Sequence, residues 1–416
     1  MLLYAGLRTF KPCIMQPCIW HCNKKIFCFF FYIDRFIIVR TMKKLLKALI
    51  QAQSTPDKGE LDAAKVRSAE FAQVGIDCRI DTWDSNRANL IARIASDGSR
   101  PGLLFACHLD VVEPGETVWT HPPFEAAETG DRIYGRGAVD MKGGTAAVAA
   151  AIKRIIESGT KLRGDIVFLA AAGEEVDSCG AIRFAADRGG LGELAPKGFA
   201  GVVIPEPTDF DVVSAHRGML WLEVTTRGKP AHSSRPELGV NAINSMRLFL
   251  NELDKYEIPA EPHEMLGDCS MSINIIEGGK ALNVVPDKCS IRIDIRTLPG
   301  QNNEQVVEDF KEIFAKIKSE NPQFEAEVYV RRTVNALETD REYDFVKDFC
   351  SCVGVEETKP VGFTTDGPHF ISFGAPIVIF GPGKPHLCHK PNEYIDLCDL
   401  EKAAEHYKNI ITEFLT

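Results

Sequence analysis

No stretch of this 416-residue sequence approaches the roughly 20 consecutive apolar residues that a membrane-spanning helix needs. No dense Lys/Arg patch with interleaved aromatics is present and the net charge is −10, which argues against nucleic acid as a partner. The 13 cysteines are odd in number and follow no regular framework, so a disulfide scaffold is not expected at this length and a reducing cytoplasm is. Cys13, Cys18, His21 and Cys22 lack a second ligand pair at zinc-finger spacing. The apolar run Ile26 to Ile33 is interrupted by Asp34-Arg35, and no small-residue cleavage site follows, so a signal peptide is not expected. Internal repeats and low-complexity segments are absent as well. What remains is the composition of a soluble globular protein, 45% hydrophobic and 25% charged, long enough for two domains.

Residues 1–41 do not match the rest. Met42 opens Met-Lys-Lys-Leu-Leu-Lys-Ala-Leu-Ile, a plausible amphipathic first helix. The native protein is expected to begin at Met42, with 1–41 a leader of mis-annotated upstream sequence. From 42 to about 214 the pattern alternates: helices near 43–52 and 60–74, strands at 76–82, 88–93 and 102–107, a small-residue helix from Gly143, and strands at 165–171 and 201–204. Such alternation predicts an α/β fold with a mixed, mostly parallel sheet and flanking helices. Between 215 and 332 the order becomes β-α-β-β-α-β, with strands at 220–226, 270–276, 289–295 and 325–330 and helices at 241–253 and 304–317. That split-βαβ order predicts an inserted ferredoxin-like α+β domain. After 333 the α/β character returns, with a helix near 341–353, a strand at 376–380 and a final helix near 399–415. Residues 42–214 and 333–416 are thus expected to form one domain, and 215–332 a second inserted into it.

The chemistry is expected at strand ends. Leu103 to Cys107 reads as a buried strand ending in His108-Leu109-Asp110. Side chains two apart on a strand share a side, so Asp110 can orient His108 as a metal-bound histidine requires. Asp140 follows a glycine-rich turn, Gly135-Arg136-Gly137-Ala138-Val139, and precedes a helix. Glu174-Glu175 follows the strand 165–171, Glu206 stands between two prolines, and His389 lies in a proline-rich loop. Each has an ordinary explanation: a strand cap, a helix N-cap, solvated loop charges, a stiff turn. Together, two histidines and three carboxylates make a mixed N/O donor set suited to zinc, cobalt or manganese. Five ligands with one bridging carboxylate fit two ions roughly 3.5–4 Å apart, and leave one glutamate of the 174–175 pair free to act as a base.

These motifs, with Gly228-Lys229-Pro230-Ala231-His232-Ser233-Ser234 and Gly381-Pro382-Gly383, resemble the acetylornithine deacetylase / succinyl-diaminopimelate desuccinylase family of co-catalytic metallohydrolases, which also holds aminoacylases, dipeptidases and a glutamate carboxypeptidase. The resemblance covers about 42–416. It implies a zinc-exopeptidase-like catalytic domain and an inserted lid through which a homodimer forms. It also implies a bridging Asp140, His108 and Glu206 on one ion, Glu175 and His389 on the other, Asp110 orienting His108, and Glu174 as base. A cis peptide at Asp140–Met141 is implied too. His232 would stabilise the oxyanion, often at the partner subunit's site, while Asn283, Arg296, Thr364, Thr365 and Gly383 match substrate-holding positions. Alternatives remain for His232, as a surface histidine, and for Arg296, as a strand-end salt bridge.

The activity implied is metal-dependent hydrolysis of an N-acyl amino acid, as in arginine or lysine biosynthesis. Phe105 to Glu113 and Trp119 to Phe124 look more like desuccinylases, whereas Pro360 to Pro368 is closer to deacetylases, which commonly carry a glutamate where Asp366 stands. A metallo-dipeptidase or carboxypeptidase is the alternative, and a catalytically silent binding protein a remote one.

Overall fold

The computed structural model describes residues 39–416. The expectations for the leader and for the Cys13–Cys22 cluster fall outside them, except that residues 39–41 are already helical and continue into the helix that contains Met42.

In chain order, the first helical stretch is α1 (residues 39–51), followed by α2 (Leu61–Ala72), β1 (Cys78–Trp83), β2 (Arg87–Ile94), β3 (Gly102–His108), β4 (Ala127–Thr129), β5 (Arg132–Tyr134) and α3 (Lys142–Glu157). Then come β6 (Ile166–Ala171), α4 (Cys179–Ala186), α5 (Arg188–Leu194), β7 (Phe199–Ile204) and β8 (Val213–His216). The second unit runs β9 (Met219–Arg227), α6 (Ala242–Leu253), β10 (Ser270–Gly278), β11 (Lys288–Arg296), α7 (Asn303–Glu320) and β12 (Glu325–Val334). The chain closes with β13 (Leu337–Glu338), α8 (Asp344–Val353), β14 (Lys359–Val361), α9 (Gly367–Phe370), β15 (Ile377–Ile379), β16 (Tyr394–Asp396) and α10 (Leu397–Leu415).

The main sheet is mixed, with the order β1-β2-β6-β3-β7-β15-β8-β13 and β14 beside β8. Its centre, β6-β3-β7-β15, is parallel, so all four strands end on one side. β3 is buried along its whole length, as its unbroken apolar run requires. The outer β1–β2 pair is antiparallel. Only three residues separate those strands, too few for the crossover that parallel pairing needs, and Asp84 and Ser85 turn the chain with positive φ.

Small residues decide how closely α3 packs. Its Ala146, Ala147, Ala149, Ala150 and Ala151 are buried, and α10 lies against it. At Gly144 a Cβ would stand 2.2 Å from the Pro205 carbonyl, so only glycine lets the helix start touch the loop after β7.

The second sheet is wholly antiparallel in the order β10-β11-β9-β12. With α6 and α7 packed on one face, this is the ferredoxin-like arrangement, and it has its own apolar core around Phe249, Phe310, Leu222 and Ile293. A third sheet, β16-β5-β4, was not foreseen, its strands being three residues each. Among the described residues no helix is long and apolar enough to cross a membrane.

Candidate metal centre

The parallel centre of the main sheet delivers the site in a row. β6 ends just before Glu174-Glu175, β3 ends at His108, β7 ends two residues before Glu206, and the loop after β15 carries His389. Asp140 comes in from the turn before α3. Crevices at the carboxyl ends of parallel strands are where open α/β sheets place their ligands.

His108 Nε2 lies 3.1 Å from Asp140 Oδ1 and 3.4 Å from Glu206 Oε1. His389 Nε2 lies 3.1 Å from Asp140 Oδ2 and 3.0 Å from Glu175 Oε1. Asp140 therefore spans two triads, one oxygen to each histidine. Within each triad, one donor atom per residue lies within 4.8 Å of the others, close enough to hold a metal ion. The Asp140–Met141 peptide is cis.

The chemistry of this donor set fits a pair of cations. Burial pushes the Glu206 carboxyl up to about 7, with Asp140 and Glu175 adding like charge against the opposing pull of His108. Burial, again joined by Asp140, raises Glu175. The hydrogen bonds to Asp140 and Glu175 raise His389 to about 10. Burial opposes the charge on His108, but Glu206, Asp110 and Asp140 together hold it well above the usual imidazole range. Buried acids crowded against two imidazoles are a donor set whose charge divalent ions would neutralise.

The residues around the triads fix them. His108 Nδ1 donates to the Asp110 carbonyl at 3.0 Å, which aims Nε2 at Asp140. The Asp110 carboxylate stands 3.6 Å from the same nitrogen and has a second task. Its Oδ1 accepts from the N–H of Gly173 at 2.9 Å and of Glu174 at 3.1 Å, and its Oδ2 from the N–H of Glu175 at 2.9 Å. Burial works against its charge, yet the His108 contact and those N–H donors keep Asp110 below the ordinary carboxylate range. Glu174 is buried, and a carboxylate oxygen of it lies within 4.8 Å of His108 and Glu175. Among the described residues that carboxylate has no hydrogen-bond or ion-pair partner, and burial raises it well above the usual glutamate range.

Sequence reasoning missed a second support. Glu393, 1% exposed, accepts from the N–H of Val139 at 2.8 Å and of Asp140 at 3.2 Å through Oε1, and pairs with Arg136 at 2.6 Å through Oε2. Both residues lie inside the motifs that carry Asp140 and His389. The signal was that a buried turn with free N–H groups needs an acceptor.

The remaining expected site residues do not join the cluster. His232 is exposed, its Nδ1 2.8 Å from Ser234 Oγ, and its main chain bridges to Val284 beside Asn283. Arg296 pairs with Asp294 at 3.0 Å at the end of β11. Thr365 is buried and bonds His216 Nε2 at 3.1 Å, while Thr364 is half-buried. Gly383 has φ +95° and lies against Val139, so its backbone and the space beside it account for the glycine.

The sequence profile of Peptidase family M20/M25/M40 matches residues 104–413. The chain belongs to this family. It is 30% identical to a probable succinyl-diaminopimelate desuccinylase of Staphylococcus aureus, over 89% of this chain and 97% of that protein. It is 29% identical to the acetylornithine deacetylase of Myxococcus xanthus, over 80% and 86%. Among solved structures, the M20 metallo-carboxypeptidase Sso-CP2 of Sulfolobus solfataricus superposes with a TM-score of 0.73 at 20% identity, covering 89% of this chain and 98% of that one. The di-peptidase Dug1p of Saccharomyces cerevisiae gives 0.72 at 17% identity, covering 91% and 98%. This M20 chain is accordingly an amide-bond hydrolase whose residues form a cluster able to bind metal.

Proposed function

We propose that this M20 hydrolase cleaves the amide bond of an N-acyl amino acid, of the acetylornithine or succinyl-diaminopimelate kind, with two divalent ions, zinc in the first place and cobalt or manganese as substitutes. The observation that carries the reading is Asp140, one oxygen 3.1 Å from His108 and the other 3.1 Å from His389. His108, Asp140 and Glu206 would hold one ion, and Asp140, Glu175 and His389 the other. Bound there, the ions would supply Lewis acidity, lowering the pKa of a water and polarising the amide carbonyl.

The protein's own residues do the rest. Glu174 takes the proton of the attacking water; burial, which raises its carboxyl well above the usual glutamate range, and the lack of a partner suit it to accept one. It passes that proton to the leaving nitrogen. Asp110 keeps His108 aimed and the Glu174 peptide in place. Arg296 would exchange Asp294 for the substrate carboxylate, which suits a guanidinium fork.

His232 and Asn283 would reach the site of a second copy. β10 is an edge strand with Ile273, Ile275 and Ile276 exposed by 41%, 40% and 61%. An apolar edge with unpaired main-chain groups favours a homodimer through this sheet. The nine described cysteines are all free, which accords with a reducing cytoplasm.

The acyl-amino-acid reading draws on the names of the curated relatives; the peptidase names of the structural neighbours favour a dipeptidase or carboxypeptidase as the second reading. Assay of the zinc-loaded enzyme on N-acetylornithine, N-succinyl-diaminopimelate and a dipeptide panel separates them. Cleavage of an N-acyl amino acid at least tenfold faster than any dipeptide is expected; the reverse order overturns the first reading in favour of the second.

A further inference from the structure

The main-chain carbonyls of Glu174 and Glu175 are held by a residue that no family motif singled out. Arg332, near the end of β12, donates from Nη2 to the Glu174 carbonyl and from Nη1 to the Glu175 carbonyl, the latter at 3.2 Å. Asp110 already binds the N–H groups of the same two residues from the strand-end side. The two glutamate peptides are therefore gripped at both edges, by the main sheet through Asp110 and by the second sheet through Arg332.

A defect in β12 puts the guanidinium there. β12 pairs with β9 in regular register up to Val330–Leu222, then slips by one so that Arg332 faces Trp221 and Thr333 faces Leu220. Leu220 and Leu222 are buried on the helix-covered face of the sheet, whereas Trp221 is 40% exposed on the other. Without the extra residue, Arg332 would face Leu220 among the packed side chains. A one-residue slip reverses every side chain that follows, and bulges beside active sites commonly re-aim a side chain in this way. The turned guanidinium lies 6.0 Å from the Trp221 ring centroid and is half-buried. Arg332 is also two residues from the end of β12, where the chain crosses back to the main sheet.

The geometry points to Arg332 as a positioning residue that ties the orientation of the second sheet to the placement of Glu174 and Glu175. This rests on the reading of Glu174 as base. Arg332 touches only main-chain oxygens of those residues, so it acts on them through where they stand. A shift of the second sheet on the main one must either carry the glutamate turn with it or break two charge-assisted hydrogen bonds.

Hydrogen exchange on the metal-free protein tests this apart from turnover. In Arg332→Ala, amides of 173–178 should exchange at least tenfold faster, with β11 unchanged. In the zinc-loaded enzyme kcat should fall about tenfold to a hundredfold with KM within threefold of the parent. Arg332→Lys, which can reach one carbonyl at a time, should recover part of both losses, and Arg331→Ala, at the bulge itself but with its guanidinium on Glu223, should show neither. Unchanged exchange at 173–178 in Arg332→Ala overturns the proposal, as does an increase spread equally over β9 to β12. Parental turnover in Glu174→Gln would instead overturn the base assignment, and leaves the exchange result standing.

Discussion

Asp140 is held by His108 on one oxygen, His389 on the other and Glu393 on its N–H, with its side chain 15% exposed. His232, on the second sheet, is exposed, and its ring is bonded only within its own turn, to Ser234. One region is fixed before any substrate arrives; the other presents His232 on a surface where its ring meets only its own turn. A site whose ligands stand at adjacent parallel strand ends can be preorganised by the sheet alone. A site completed from a second unit needs a relative placement that one unit's packing cannot supply, and parts that must move are drawn from the less tightly held regions.

The sharpest way to break that contrast is to remove the residue on which the fixed region converges. Asp140→Ala should abolish turnover and drop bound zinc, measured by elemental analysis, below one ion per chain; two ions retained would end the shared-ligand assignment. A chelator should silence the parent enzyme, and added zinc or cobalt should restore it. Glu174→Gln should keep its metal yet lose about 10²–10⁴ in kcat. Next in size comes the buried support. Arg136→Met leaves Glu393 inside the protein without its cation, and denaturant unfolding should register a loss of about 3–5 kcal/mol. The same experiment in the other region should barely register. His232→Ala should change stability by less than about 0.5 kcal/mol, since surface substitutions usually do. Yet it should cost about a hundredfold in kcat if the second sheet supplies an oxyanion donor. Mixing it with Glu174→Gln should recover part of the activity through hybrid dimers; no recovery in a demonstrated heterodimer counts against shared sites.

The same contrast explains what was legible in the sequence. His108, Glu175 and Glu206 stood out as candidates because an apolar run that stops at or just before an acid or an imidazole marks a strand end, and parallel strand ends gather, whereas His389, ten residues past β15, stood out through its loop motif and the family resemblance. The β-α-β-β-α-β order gave the second unit for a similarly local reason: alternation with period two in Leu220–Thr226 and 289–295. Glu393 and Arg136 were hidden because their partnership spans 257 positions and neither residue type reads as buried. The aim of Arg332 depends on a one-residue slip that alternation cannot reveal. Thr365 was placed with the substrate set, yet the structure turns its hydroxyl onto His216, a buried ring with no motif around it.

His216 gives the gentlest probe, because it sits where the two regions join, at the end of β8 and just before the chain enters β9. The ring is fully buried, with Nδ1 donating to the Arg217 carbonyl at 2.8 Å and Nε2 accepting from Thr365. Burial pulls it down to about 4, against an opposing pull from the Arg217 carbonyl. The folded state therefore keeps the ring neutral across a range in which the unfolded chain, near 6.5, takes up a proton. That stability is fully present above about pH 6.5 and is lost as pH falls toward 4, reaching about 1.4 kcal/mol at pH 5.5. His216→Gln keeps an acceptor for Thr365 and removes the titration, so its unfolding free energy should fall less steeply than the parent's between pH 7 and 5.5. Parallel slopes would mean that the joint tolerates a charged imidazole, and that the boundary between the regions is looser than its hydrogen bonds imply.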